Sequence, residues 1–176
     1  MAPLDFYAES SSEYVNRKAW KMLHQELDDD DFPNPCFDLN GMWTGGSRYW
    51  LRKFDGIIEN LIEKEGFGFS EAIKLLSQRV AIVQYFPYRS KSFHVGDRIL
   101  SRLKSVELIK KFVRSYISEK VGRGEACAIV ARQAKRWEFP DKKDGVVVFT
   151  GQQARSAHLN EASEAGKLII RYLTKL

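Results

Sequence analysis

Apolar residues recur along the chain at two kinds of spacing, and the two kinds alternate from about residue 80 to the C-terminus, after three segments of the first kind. Spacing of three and four residues predicts helices, over residues 10–25, 48–65, 70–77, 105–121, 133–139 and from 160 onward. Continuous β-branched runs predict strands buried on both faces, as in a parallel sheet, over residues 80–86, 126–131 and 145–149. This alternation predicts an α/β layered fold with right-handed crossovers.

Single residues predict where three of these helices begin or end. Gly66 suits the left-handed position that follows a helix. Ser70 and Asn160 suit the N-cap position, because their side-chain oxygens can accept hydrogen bonds from backbone N–H groups. We therefore expect Gly66 to end the second helix, and Ser70 and Asn160 to begin the third and the last.

The predicted sheet is small, since sheets commonly hold about four to six strands and only three are predicted. All three strands have the sequence of buried strands, so something should cover the open edge of the sheet. We expect either a further strand encoded before residue 1, or a second chain that pairs at this edge. Residues 1–46 are predicted to form an acidic helical leader and loop, and residues 47–176 an α/β domain, packed as one compact unit.

Composition narrows the class of protein. The 176 residues are 44% hydrophobic and 29% charged, which is typical of a globular protein. No apolar run approaches the roughly 18 residues of a membrane span, and the N-terminus lacks the features of a secretory signal, so no membrane partner is predicted. Two cysteines, Cys36 and Cys127, cannot form a disulfide framework, which predicts a reducing, cytoplasmic location.

No cofactor or metal is predicted. The chain has neither a G-x-G-x-x-G motif after a strand nor a P-loop. Its three histidines, His24, His94 and His158, have no partner residue at metal-ligand spacing. Cys36 lies in a predicted loop without a base beside it, so we do not expect it to act as a nucleophile.

Charge is distributed unevenly along the chain. The formal net charge is +5, yet residues 1–45 hold nine acidic and three basic residues. The remainder therefore holds 25 basic and 14 acidic residues. This asymmetry predicts an anionic partner, either nucleic acid or a phosphorylated ligand. A solvated basic surface without a partner explains the same pattern.

Candidate binding residues follow the predicted strands. In open parallel sheets, ligands bind outside the carboxyl ends of the strands. Tyrosine can stack on a base, arginine can pair with phosphate, and serine and histidine can add hydrogen bonds. The residues of these types at the predicted strand ends are Tyr88, Arg89, Ser90, Arg132, Arg155, Ser156 and His158. The alternative interpretation is ordinary strand-end turns with solvated side chains.

Several segments together resemble a known superfamily. They are Tyr-Trp-Leu-Arg-Lys-Phe at 49–54, the stretch 83–91, Leu100-Ser101, Arg132 ahead of Trp137, and the polar loop 152–160. In this order they resemble the uracil-DNA glycosylase-like superfamily, more specifically an uncharacterised bacterial branch of it, over about residues 47–176. The resemblance implies a three-layer α/β/α fold with a small, mostly parallel central sheet and a nucleic-acid-reading cleft at the strand ends.

Two motifs of the active glycosylases differ in this chain. Their first strand ends in Asp-Pro, Asn-Pro or a related pair, whereas Asn34-Pro35 here follows no apolar strand. Their late His-Pro-Ser motif corresponds to the stretch 153–156, which reads Gln-Ala-Arg-Ser, with His158 displaced. Both differences argue against glycosylase activity, so no catalytic residue is assigned, and any base chemistry would need an extruded nucleotide.

Three functions follow from these observations. The first is a nucleic-acid or nucleotide-binding protein with a glycosylase-like fold. The second is a protein-interaction or assembly module that uses the open sheet edge, including pairing with a second copy. The third is a hydrolase of a small nucleoside or phosphorylated substrate at the same cleft.

Overall fold

The computed structural model describes residue 21 and residues 32–39, 45–85, 96–139 and 144–175. The chain divides into two compact units. We call Met1–Ala81 with Leu159–Leu176 the helical unit, and Ile82–His158 the sheet unit. The predicted helix over 10–25, apart from residue 21, lies outside the described residues, and the domain boundary after residue 46 stays a prediction. No helix within the described ranges has the length and apolarity needed to cross a membrane.

Helices make up most of the described structure. The helices are α1 (Gly45–Lys53), α2 (Asp55–Glu63), α3 (Phe69–Arg79), α4 (Asp97–Leu100), α5 (Lys104–Phe112), α6 (Ser118–Gly122), α7 (Ala134–Trp137), α8 (Gly151–Ser156) and α9 (Glu164–Thr174), and the strands are β1 (Ala128–Val130) and β2 (Val146–Val148). A short 3₁₀ helix covers Pro35–Phe37, and a π-helical turn over Val113–Ile117 joins α5 to α6. The protein is therefore a mixed α/β protein with a small parallel sheet, as predicted at that level.

The helical unit is built around a break in a helix that the sequence predicts as continuous. Residues 48–65 were expected to form one helix, but α1 ends before Phe54 and α2 begins after it. The backbone of Phe54 donates to the carbonyl of Trp50 and accepts from Ile58, so hydrogen bonding continues through the change of direction. The Phe54 ring packs edge-to-face on Phe37, with ring centroids 4.9 Å apart. Both rings are buried, so the break between α1 and α2 places the Phe54 ring in the core of the helical unit.

Two turns around α3 differ in how well the sequence predicts them. Gly66 has a φ of +77° after the end of α2, as expected for the residue that stops a helix. Ser70 was expected to cap α3, and that prediction is wrong. The helix begins at Phe69, and the Glu71 carboxylate accepts a hydrogen bond of 2.7 Å from the N–H of Gly68. A glutamate side chain can in this way accept from a backbone N–H at the start of a helix that has no partner within the helix, as a serine cap would.

The last helix also begins later than predicted. Asn160 was expected as its N-cap, but Ser163 holds that position and accepts from the N–H of Gly166 at 3.0 Å. The Asn160 side chain instead accepts from the N–H of Ala162 at 2.8 Å. Asn160 therefore shapes the turn before α9, because a side-chain amide can support a turn as readily as a helix start.

The sheet unit confirms two of the three predicted strands. β1 and β2 pair in parallel with Ala128 opposite Val146 and Val130 opposite Val148, and α7 lies in the connection between them. Val130 is buried, but the other strand residues are only partly buried. The expectation that these strands are buried on both faces is therefore wrong.

The third predicted strand, over 80–86, is not a strand in its described part. Residues 80–85 are irregular. The N–H of Val80 donates to the carbonyl of Leu76 at 2.9 Å, and its carbonyl accepts from the Asn34 side chain at 2.7 Å. Val83 packs against the core of the sheet unit through its side chain. Packing without a backbone ladder explains why the apolar pattern predicted a strand here.

The π-helical turn between α5 and α6 keeps two valines on one face. Val113 and Val121 both belong to the core cluster of the sheet unit, with Val130 and Phe139. Residues eight apart on a regular α-helix point about 80° away from each other. A π-helical turn takes up one additional residue, and the N–H of Ser118 donates to the carbonyl of Val113, five residues earlier. The core therefore determines the irregularity of this helix.

Candidate functional site

The parallel pairing of β1 and β2 places their carboxyl ends at one edge of the sheet. Arg132 follows β1, and Arg155 lies on α8, which follows β2. The guanidinium of Arg132 donates to the carbonyl oxygen of Arg155 at 3.3 Å. The two loops that were predicted to share a site are therefore in contact. We call Arg132, Gln133, Arg155, Ser156 and His158 the carboxyl-edge site.

The polar side chains of the carboxyl-edge site face solvent. Its second half was predicted as a polar loop over 152–160, but residues 151–156 form α8. The helix turns the hydroxyl of Ser156 back toward the carbonyls of Gln152 and Gln153, at 3.5 and 3.4 Å. Arg155 and His158 are exposed beside it. The site thus offers arginines and a histidine to a ligand on an open surface.

Two non-glycine residues of this edge adopt left-handed backbone conformations. Gln133 has a φ of +57°, directly after Arg132, and Ala157 has a φ of +48°, between Ser156 and His158. This conformation costs roughly 1–2 kcal/mol for an ordinary L-residue. Such strain clusters at functional sites, where it holds side chains in set directions. Here it occurs once in each half of the carboxyl-edge site.

The helix that follows Arg132 is shorter than the sequence predicts. Residues 133–139 were expected to form a helix whose N-terminal N–H groups attract anions. The observed α7 has four residues. A helix of one turn aligns few peptide dipoles, so its electrostatic contribution is small. Any attraction of this edge for anions comes from its arginine side chains.

The remaining predicted site residues, Tyr88, Arg89 and Ser90, lie outside the described residues. The described chain before them ends at Tyr85. The ring of Tyr85 packs edge-to-face on Trp137 of α7, with ring centroids 5.2 Å apart. Tyr85 is thus anchored on the helix that follows Arg132, while the placement of Tyr88, Arg89 and Ser90 stays a prediction.

A second basic feature of the sheet unit was missed at the sequence level. It is a groove of about 490 Å³, which we call the basic groove. It is lined by Tyr85, Ser101, Val106, Glu107, Lys110, Lys111, Arg114 and Ser115. The sequence contained a signal for it, since residues 110 and 114 lie four apart and therefore share a side of the helix.

Glu138 pairs with two of the cations of the basic groove. Its carboxylate contacts the ammonium of Lys110 at 2.5 Å and also contacts the guanidinium of Arg114. Glu138 follows α7 with a left-handed φ of +52°. Two cations that share one carboxylate retain a net positive charge, so the groove can still attract a further anion.

Other candidate chemistry finds no support. Burial raises the pKa of the Cys36 thiol to about 11, and a thiol that stays protonated at neutral pH is a poor nucleophile. Within the part of the chain that the structure describes, no group of three His, Cys, Asp or Glu residues is arranged to hold a metal ion.

The two units also differ in charge, although their boundaries differ from the division at residue 45. The sheet unit, residues 82–158, holds sixteen basic and seven acidic residues. The helical unit holds twelve basic and sixteen acidic residues.

Comparison of the chain with protein-family models, with curated proteins and with solved structures gives no match. The chemistry of the sheet unit is therefore the basis for assigning a function.

Proposed function

We propose that the protein binds nucleic acid through the sheet unit, on a fold of the uracil-DNA glycosylase type with three α/β/α layers. The observation that carries this proposal is the charge excess of +9 in the sheet unit against −4 in the helical unit. Phosphate contacts supply most of the sequence-independent affinity for nucleic acids. A unit of this charge is suited to a polyanion, whereas the helical unit would repel it.

The carboxyl-edge site supplies the first phosphate contacts of this proposal. Arg132 and Arg155 are held next to each other by their hydrogen bond, and both are exposed. Arginine forms bidentate hydrogen bonds with phosphate oxygens. His158 adds a hydrogen-bonding group to the same edge, and Tyr88 with Arg89 and Ser90 would extend it by stacking and phosphate contact.

The proposed activity is binding without base excision. Asn34, the residue of the Asn-Pro pair, uses its side chain within the helical unit. Its amide nitrogen donates to the carbonyl of Val80, and its amide oxygen accepts from the N–H of Cys36 at 3.0 Å. A side chain held in this way is not free to position a water molecule on a nucleotide, which supports a role in binding alone.

Titration of the full chain with fluorescent single- and double-stranded oligonucleotides over a series of salt concentrations tests the proposal. We expect the affinity to fall with salt, with a log–log slope of about −0.7 per phosphate contact for single strands. The double variant Arg132→Ala/Arg155→Ala should reduce this slope by about 1.4. No release of base should accompany binding, which alkaline cleavage of a uracil-containing oligonucleotide would detect.

A charge-matched control lies in the helical unit. Lys64→Ala/Lys167→Ala removes two exposed positive charges from that unit, and it should leave the slope within error of the parent protein. Absent or salt-independent binding by the parent protein contradicts the proposal. So does an equal loss of slope in the two double variants, because that result would assign the effect to net charge alone.

One observation favours a second function, assembly through the sheet. Among the described residues the sheet has two strands, and Ile129 and Val147 at their centres are only partly buried. Two-stranded sheets are marginal by themselves, and unpaired strand edges pair readily with other strands. Light scattering after nuclease treatment tests this function: a stable oligomer supports it, and a monomer contradicts it.

A further inference from the structure

The continuous helix formed by α5, the π-helical turn and α6 exposes an apolar stripe. This stripe does not pack in the core of the sheet unit. Leu108, Phe112 and Tyr116 are 58%, 42% and 51% exposed. They follow one another at four-residue spacing through α5 and into the π-helical turn. Val113 and Val121 of the same helix are buried in the core. The stripe therefore needs a different explanation from the packing of this unit.

Two rings of the stripe form a stacked pair that is open to solvent. The rings of Phe112 and Tyr116 lie with centroids 5.3 Å apart and an angle of 21° between their planes. The ammonium of Lys120 lies 5.3 Å from the centroid of the Tyr116 ring. Exposed aromatic rings near a positively charged groove are one kind of surface on which unpaired bases stack.

Basic residues outnumber acidic ones in the helix that carries the stacked pair. Residues 104–125 include six basic and three acidic residues, and Glu125 pairs with Lys120 at 3.0 Å and with Arg123 at 2.7 Å. One of the acidic residues, Glu119, pairs with Arg123 at 3.0 Å. The basic groove is lined by residues of the same helix, and two of them, Lys111 and Ser115, directly precede Phe112 and Tyr116 in the sequence. Because consecutive helix residues point about 100° apart, a ligand must bend around the helix to reach both features. A ligand that contacts both features should therefore have flat apolar parts joined to anionic parts at short spacing.

We propose that the Phe112–Tyr116 pair stacks on unpaired bases of a single-stranded nucleic acid whose phosphates lie in the basic groove. The proposal rests on the proposed function for the class of ligand, and it adds a second surface and a preference for single strands. The bases of a duplex are stacked on each other and cannot reach a protein ring without being unpaired. A second copy of this chain fits the surface less well, because both helices carry an excess of basic residues over residues 104–125.

The test compares ring removal with matched controls in the full chain. Phe112→Leu/Tyr116→Leu keeps apolar side chains and removes the stack. We expect it to weaken binding of a single-stranded oligonucleotide by roughly 5- to 150-fold, without a change in the salt slope. A 2-aminopurine in the oligonucleotide should be quenched by the parent protein and less quenched by the variant. Leu108→Ala, which removes an apolar side chain but no ring, should bind as the parent protein does.

Several results would overturn this inference and leave the proposed function intact. They are unchanged affinity and quenching in the double ring variant, a loss in Leu108→Ala as large as in the ring variant, and equal weakening of duplex binding. A parent dimer that the ring variant converts to a monomer would assign the stripe to a second copy instead. Circular dichroism and urea unfolding of each variant ensure that a loss of binding is not a loss of fold. If the parent protein binds no oligonucleotide, the proposed function fails as well.

Discussion

Gly166 in the first turn of α9 lies directly against the backbone carbonyl of Asn160, so that a Cβ atom at this position would overlap the carbonyl oxygen. The backbone of the turn before α9 cannot move aside without breaking the hydrogen bonds that Asn160 and Ser163 make. The absence of a side chain at position 166 is therefore a condition for the close packing of this turn.

Gly166→Ala is expected to destabilise the protein by about 1–3 kcal/mol, as overpacking against a fixed backbone does. Gly56→Ala is the matched control, because its Cβ would meet the carboxylate of Glu161, the far end of a flexible side chain, at 2.5 Å. Gly56 is also helical, so alanine should compensate through its helix propensity. The free energy of unfolding in urea, measured for both variants, tests this prediction. An equal loss of stability in the two variants would contradict it.

Asn34→Ala should also destabilise the protein, by about 1–3 kcal/mol, because it removes the amide donor of the Val80 carbonyl and the acceptor of the Cys36 N–H. Asn160→Ala removes one exposed hydrogen bond and should cost less. Thermal and urea unfolding measure the difference. Oligonucleotide binding should be unchanged in Asn34→Ala under folding conditions, and a selective loss of binding would show that Asn34 contacts the ligand.

The half-buried thiol of Cys36 predicts a dependence of stability on high pH. Its pKa is about 11 in the folded protein, against ~8.5 for an unperturbed thiol. The folded state therefore holds its proton over a pH range in which the unfolded state has lost it. This contribution to stability is complete below pH ~8.5 and is lost as the pH rises toward 11.

The measurement compares Cys127→Ala with Cys127→Ala/Cys36→Ala. The loss of stability between pH ~8.5 and about 11 should be steeper in the protein that keeps Cys36. Alkylation of Cys36 at pH 8 should be slow in the folded protein and fast in urea. Rapid alkylation of the folded protein at that pH would show that the thiol is neither buried nor protonated as described.

Glu138→Gln should strengthen binding of oligonucleotides, because it removes the carboxylate that pairs with Lys110 and Arg114. Each cation released to a phosphate should steepen the salt slope by about 0.7. Glu59→Gln, an exposed change of the same charge in the helical unit, serves as the control. Equal gains in the two variants would trace the effect to net charge, and no gain in either would mean that the groove does not contact the ligand.

The sequence pattern predicts the two short strands of the sheet. The runs around β1 and β2 are short and β-branched, and they form the parallel pair that was expected. The similar run over 80–86 does not form a strand in its described part, and the Val80 carbonyl accepts instead from Asn34, 46 residues away. A hydrogen bond between such distant residues leaves no periodic signal.

The same distinction applies to the site. The contact between Arg132 and Arg155 follows from the general rule for carboxyl ends of parallel strands, so it could be expected from sequence. The basic groove could not, since it combines residues of the segment 101–115 with Tyr85 and is completed by Glu138. Its parts come from three separate segments, and only the folded chain brings them together.

The π-helical turn over Val113–Ile117 indicates a place where the fold can accept the insertion or deletion of a residue. The core valines Val113 and Val121 are eight positions apart. On a regular α-helix, residues seven positions apart share a face, and residues eight positions apart do not. The turn is thus equivalent to a one-residue insertion that the helix has absorbed. A chain that lacked one residue between Val113 and Val121 would keep both valines in the core with an uninterrupted α-helix. Length variation of one residue should therefore be tolerated at this place in the fold.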